Sequence, residues 1–312
     1  MMPEEHDRSY PRSVGVLGHE LLTQPVVQRL VDALPAGRHV WIYGCNPEVL
    51  TALQHLGGQR AASAADLAAR SEYLIILLEN TDDFETQLAG PRGLRAGVHS
   101  PKILVFGGIS APDELRQLAH DLAKRTAGLL RVIDAPLNGT PEVAAQGELA
   151  IAVGASPGLY REALPTLELL GTCVRVGGIG SAQIANACKQ YVIAATAMAL
   201  SEAAVIAERA GLDLARVLQS WESSLAENQV LAAAPGKLLN KDFEPDLPMG
   251  AALAPLEVAA KQAWRTGTSA RLLASVQELF QLLDRAEPSS HDLAATYRYF
   301  AAQHPERREA QG

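Results

Sequence analysis

Asn186 and Lys189 stand three residues apart in an unbroken helical stretch, and a third polar side chain, Asn138, precedes a Gly-Thr pair. Residues at this spacing share a helix face, so the amide and the amine are expected to point into one cleft. A carboxamide orients or polarises a bound group but transfers no proton near neutral pH. An amine whose pKa is depressed by burial can donate one. Lys189 otherwise pairs with an acid or reaches solvent. Asn138 otherwise forms the turn ahead of Gly139. The backbone N–H groups of Gly139 and Thr140 are candidates for holding an anion.

A second cluster lies near the start, where an apolar run leads into GVLGHELLT at Gly15–Thr23. A dinucleotide loop needs glycines for a tight turn, for backbone approach to the diphosphate and for helix–strand packing. Gly15 and Gly18 are present, but Glu20 and Thr23 stand where later glycines belong. An acid at a helix start suits the helix dipole and repels a diphosphate. The cofactor-binding candidates here are Gly15, Gly18, His19 and Leu21. The second apolar run ends at Gly44-Cys45-Asn46, with neither the acid that binds a ribose hydroxyl nor the arginine that binds a 2′-phosphate. Cys45, Asn46 and, after a later run, Leu78 complete the cofactor set, and nothing selects NAD over NADP.

Short apolar runs at 14–17, 39–43, 73–78, 103–106 and 130–133 alternate with helical patterns at 21–34, 48–56, 65–71 and 112–127. Such alternation predicts a parallel sheet with helices on both faces. Further strands are expected at 149–153 and 173–176, flanking a helix near 159–170. After Gly180 the pattern becomes helical. Residues 181–210 contain neither Gly nor Pro and predict a spine roughly 45 Å long, buried on several sides. Helices are expected at 213–223, 255–264, 269–284 and 291–303, with Pro255 in a first turn. Trp264 is expected in a core or an interface. Trp221–Leu225 and Asn228 read as a helix end and loop, Ser290 as a helix cap, and 306–312 as a frayed tail.

Net charge is −8 (27 basic against 35 acidic residues) with no basic block, which argues against a nucleic-acid partner. No His/Cys spacing suits zinc, and no metal is expected. The longest uncharged helical stretch, 191–201, is short for a bilayer, and the polar opening lacks a secretory signal. Cys45, Cys173 and Cys188 lack CxxC spacing and read as free thiols in a cytoplasmic protein.

The segment DAPLNGTPEVAAQGELAIAVG at 134–154, followed by VGGIGSAQIANACKQ, resembles the β-hydroxyacid dehydrogenases. This group includes 3-hydroxyisobutyrate dehydrogenase and tartronate semialdehyde reductase, and more distantly 6-phosphogluconate dehydrogenase and the imine reductases. LPTLELLG at 164–171 and AAVIAERAGL at 203–212 extend the resemblance over about residues 13–300. It implies a Rossmann domain at 13–178 followed by an all-α domain at 179–303 built on a long interdomain helix. It also implies a homodimer and hydride transfer between NAD or NADP and a small carbonyl, imine or hydroxy acid. The family's lysine position matches Asn186, and its asparagine position matches Lys189. Its substrate-binding serine is Asn138, its Ser-Thr pair is Gly107–Gly108, and its Lys-Asp pair is Ala254–Pro255. The resemblance thus implies Asn186, Lys189 and Asn138 as catalytic candidates, and Asn138, Gly139 and Thr140 as substrate-binding candidates. An iminium substrate arrives already protonated and tolerates a missing lysine. The alternative is a repurposed scaffold that acts as a cyclase, isomerase or lyase, or binds a ligand without any cofactor.

Overall fold

The computed structural model describes residues 10–18, 21–78, 80–222, 224, 226, 228–240, 250–286 and 295–302. His19, Glu20, Leu225 and the stretch around Ser290 lie outside the described residues, as does the tail at 306–312. The chain divides into two compact units between Asn186 and Ala187.

The first unit is built on one eight-stranded sheet with strand order β3-β2-β1-β4-β5-β6-β7-β8. Its strands are β1 (Ser13–Gly18), β2 (His39–Tyr43), β3 (Gln59–Arg60), β4 (Tyr73–Leu77), β5 (Lys102–Phe106), β6 (Leu130–Asp134), β7 (Leu149–Gly154) and β8 (Gly171–Gly177). Neighbours from β3 to β6 are parallel, and β7 meets β6 antiparallel through Asp134 and Gly154. This reversal departs from the all-parallel expectation. The connection from β6 to β7, residues 135–148, carries only a short helix, α6 (Pro141–Gln146). β7 and β8 are parallel again across α7 (Pro157–Leu167).

Helices α1 (Thr23–Ala33), α2 (Pro47–His55), α3 (Ala64–Arg70), α4 (Thr81–Leu88) and α5 (Pro112–Arg125) complete the crossovers. Strands β4 and β5 are buried at every position, as both faces are covered. One core packs Val14, Val16, Val26 and Leu30 with Ile75, Ile133 and Leu167, and the other packs Leu17, Leu67, Leu74, Phe84 and Phe106 on the opposite face. Gly15 sits inside β1, where a Cβ would meet Ser71 Oγ at 2.4 Å and Leu74 Cδ2 at 2.9 Å. Packing under α3 therefore requires a glycine here. β3, α4 and α6 were not expected, because two to eight residues carry too little periodicity.

The second unit begins within the long helix α8 (Ser181–Arg209). It continues through α9 (Leu214–Trp221), α10 (Gln229–Asn240), α11 (Gly250–Arg265), α12 (Arg271–Ala286) and α13 (Ala295–Ala302). Ala187 and Ala194 of α8 pack with Leu256, Val276 and Phe280. Ser201 hydrogen-bonds Thr296, and Tyr297 Oη donates to Glu208 Oε2 at 2.5 Å. By length and composition α8 is apolar enough to cross a membrane, yet these polar and packing contacts are those of a helical-domain spine. Only about a third of its most apolar window is buried, so burial on several sides does not hold within one chain. Pro255 lies inside α11 rather than in its first turn, because the helix starts five residues earlier. Trp264 is 84% exposed, at the last turn of α11, and joins no core cluster among the described residues.

Candidate active site

Parallel strands bring their C-terminal ends to one edge of the sheet, and ligands of open α/β sheets bind there, where the strand order reverses. Here the reversal lies between β1 and β4. Gly18 ends β1 at this point, and a Cβ on it would fall 2.5 Å from the Leu77 carbonyl oxygen and 2.8 Å from Thr23 Oγ1. α1 starts at Thr23 without a side-chain cap and without an acid in its first turn. Thr23 Oγ1 is buried and has no hydrogen-bond partner. A bare turn, uncapped N–H groups and an orphan hydroxyl fit the diphosphate end of a dinucleotide. Leu21 is 59% exposed beside this turn, and Leu78 is buried at the end of β4.

The side chains after β2 are engaged locally. Cys45 Sγ donates to the Gly18 carbonyl at 3.2 Å, and burial pushes its thiol up to about 11. Asn46 Oδ1 accepts from Val49 N–H at 2.8 Å and caps α2. Neither supplies an acid or an arginine to a ribose.

Asp134, at the end of β6, is fully buried. Its Oδ2 accepts from Ala182 N–H at 2.9 Å and Gln183 N–H at 3.4 Å, so it caps α8. Burial lifts its pKa from the usual 3.8 to about 6, opposed by hydrogen bonds from Gln183, Ala182 and Gly180. Gln183 Nε2 donates to Asp134 Oδ1 at 3.0 Å and to the Gly108 carbonyl at 3.1 Å. Gln183 Oε1 accepts from Ser110 N–H at 3.1 Å. Ser110 Oγ reaches Thr81 Oγ1 at 3.5 Å. The Asp134–Gln183–Ser110 network was not foreseen from the sequence. Only the strand ends, distant in sequence, make Gln183 more than one polar residue in a helix turn.

One turn beyond Gln183 lies Asn186, 2% exposed. Asn138 Nδ2 donates to its Oδ1 at 2.5 Å, so two of the three catalytic candidates meet. The third, Lys189, is partly buried in the helical unit, and desolvation lowers its pKa. Gly139 has φ +157°, and a Cβ there would approach Leu149 Cδ2 to 2.8 Å. Thr140 spends its hydroxyl on capping α6, where it accepts from Val143 N–H at 3.4 Å. Gly107 and Gly108 allow close approach to β4: a Cβ on Gly108 would lie 2.1 Å from the Leu78 carbonyl oxygen. A groove of about 410 Å³ opens at the opposite, N-terminal edge of the sheet. Its charged groups are engaged locally, Lys102 with Ser71 O and Ser100 Oγ, Glu72 with Arg12 N–H, and Arg131 with Glu162. The described residues hold no cluster of three metal-ligating side chains.

Comparison with known proteins matches this architecture. Residues 13–178 match the model for the NAD-binding domain of 6-phosphogluconate dehydrogenase. Residues 180–300 match the NAD-binding module of NADP-dependent 3-hydroxyisobutyrate dehydrogenase. The 2-hydroxy-3-oxopropionate reductase of Escherichia coli K12 is 26% identical over 86% of this chain and 89% of its own length. The crystal structure of 3-hydroxyisobutyrate dehydrogenase from Salmonella typhimurium superposes with a TM-score of 0.81 at 21% identity, covering 92% of this chain and 99% of that one. A variant imine reductase from Myxococcus stipitatus, in complex with NAD+, gives 0.61 at 16% identity, covering 93% and 99%. These matches favour the redox reading over a repurposed scaffold. With its Rossmann sheet, its capped α8 and two consecutive family modules, the chain belongs to the β-hydroxyacid dehydrogenase family of NAD(P)-binding oxidoreductases.

Proposed function

We propose that the protein reduces a small imine, which Asn138 and Asn186 orient at the C-terminal end of the sheet. The observation that carries this reading is the 2.5 Å amide–amide hydrogen bond where the family resemblance puts a lysine. Bound NAD(P)H supplies the hydride. Gly18 and the first N–H groups of α1, at Thr23 and Gln24, would hold the diphosphate. Reduction of a carbonyl needs a proton at the developing alkoxide, and neither amide has one to give. A protonated imine needs only orientation. Asn186 Oδ1 keeps a second lone pair that suits its N–H. Gly139 and Thr140 N–H groups are proposed to hold any carboxylate on the substrate.

A second reading is reduction of a small aldehyde or keto acid, with Lys189 as proton donor. It is favoured by the burial that lowers the pKa of Lys189. We further propose a homodimer, since Val192 (62% exposed) and Ile206 (68%) leave an apolar stripe along α8. The three free thiols suit the cytoplasm.

The test is NADPH and NADH oxidation with 2-methyl-1-pyrroline and with succinic semialdehyde. Turnover of the imine is expected. Asn138→Ala and Asn186→Ala should each lower kcat/KM by roughly 10- to 100-fold, about 1.4–2.7 kcal/mol of transition-state stabilisation, while Lys189→Met has little effect. Turnover of the aldehyde alone, abolished in Lys189→Met, would establish the second reading instead.

A further inference from the structure

We propose that Gln183 is the positioning residue of this site, a double donor that locks three chain segments together and so holds Asn186 against Asn138. The inference rests on the functional reading only in taking the amide pair as the substrate-facing group.

The segments are far apart in sequence: the loop after β5, the end of β6 and the first turn of α8. Gln183 is 2% exposed and joins all three by one side chain. Its Nε2 has two hydrogens and two acceptors, Gly108 O and Asp134 Oδ1, and its Oε1 has one donor, Ser110 N–H. This assignment of oxygen and nitrogen is forced. Flipping the amide would set Oε1 against two acceptors and Nε2 against a donor. Asp134 in turn holds the start of α8 through Ala182 N–H and Gln183 N–H. The path from Asp134 to Asn138 is four residues of chain, and its Leu137 N–H is fastened to Gly107 O at 2.9 Å. Asn138, Asn186, Gln183 and Asp134 thus close a ring. Removing the Gln183 donors leaves the bond from Ser110 N–H to the side-chain oxygen as the remaining side-chain tie between the β5 loop and α8 found among the described residues. A buried network that loses one member leaves its remaining groups unsatisfied.

The requirement is for hydrogen, not for shape. A carboxyl of the same size replaces one of the two donated hydrogens, and only while it carries a proton. Gln183→Glu would put a second carboxyl against Asp134 Oδ1, and the pair would share one proton at low pH and repel at high pH. Asp134 is the titratable side chain in contact with Gln183. From α5, Arg116 binds the Ile179 carbonyl at 3.0 Å beside Gly180, and it forms an ion pair with Asp113.

The experiment follows the side-chain amide resonances of Asn138 and Asn186 in full-length 15N-asparagine-labelled protein, assigned with the two alanine variants. Wild type serves as the reference at each pH from 5.5 to 8. Gln183→Glu should keep the wild-type resonances at pH 5.5 and move both reversibly to solvent-exposed amide positions by pH 8. Imine turnover by the same variant should fall about threefold at pH 5.5 and at least 30-fold at pH 8. Gln183→Met should displace the amides at every pH. Wild-type resonances at pH 8 in Gln183→Glu would overturn the proposal, whether or not the methionine variant folds. If Asn138→Ala leaves turnover unchanged while Gln183→Glu still displaces the amides, the functional reading fails and the positioning role stands.

Discussion

Asp134 and Asn186 are both buried polar groups, yet their tasks differ. Asp134 accepts from backbone and side-chain donors on α8. Its substitution tests architecture. Asp134→Asn would aim an N–H at donors already pointing inward, and should cost about 1–3 kcal/mol in chemical denaturation. The pH dependence has a fixed sign. The folded pKa of about 6 lies above the unfolded value, so the native state binds the extra proton. Its stabilising contribution is full below pH ~4 and is lost as pH rises through ~6. Wild type minus Asp134→Asn should therefore show stability falling over that window, and a rise would contradict the buried acid. Asn186 tests chemistry. Asn186→Lys restores a proton donor at the family's lysine position and should gain carbonyl reduction, read as succinic semialdehyde turnover.

At the scale of elements, the site depends on how closely strand ends approach. The β4 and β5 ends touch because Gly108 has no side chain, with Leu78 O where its Cβ would be. Gly108→Ala must push the two ends apart and should destabilise the first unit by about 1–3 kcal/mol. It should also weaken the Gln183 tie, as Gly108 O is one of its two acceptors. α1 has the opposite character. Its uncapped start and the unpartnered Thr23 hydroxyl leave donors ready for an anion. Glu20 opposes that anion from the sequence. Glu20→Gly should tighten NADH and NADPH binding by roughly tenfold, on the order of 1 kcal/mol for removing one like charge. Fluorescence titration measures it, and unchanged affinity would mean that charge at this turn does not limit binding.

For the whole molecule, cofactor choice and association are the open variables. With Cys45 bonded to Gly18 O and Asn46 capping α2, the segment 44–46 at the end of β2 offers no acid or arginine. The dissociation constants of NADH and NADPH should then differ by less than about tenfold. A larger preference would require a ribose ligand from elsewhere in the chain. Val192 and Ile206 are fourteen residues apart on α8, close to four turns, and form one exposed apolar line. Val192→Glu with Ile206→Glu should convert a dimer to a monomer in light scattering, and an unchanged mass would remove α8 from the interface.

The alternation of apolar runs and helical patterns was enough to place β1, β2, β4, β5, β6 and α8, because buried parallel strands and a long helix write their periods directly into residue type. The DAP segment was likewise enough to name the family. Residue type also made Asn186, Lys189 and Asn138 visible as chemical candidates. The meeting of Asn138 with Asn186, 48 positions apart in sequence, was decided by the fold alone. So was the role of Gln183, whose partners at Gly108, Ser110 and Asp134 come from two other strand ends. The antiparallel pairing of β7 with β6 and the exposure of Trp264 depend on what packs beside them, which has no local signature. Sequence period reports which side of an element is apolar, whereas a hydrogen bond between distant segments exists only once packing has fixed both ends.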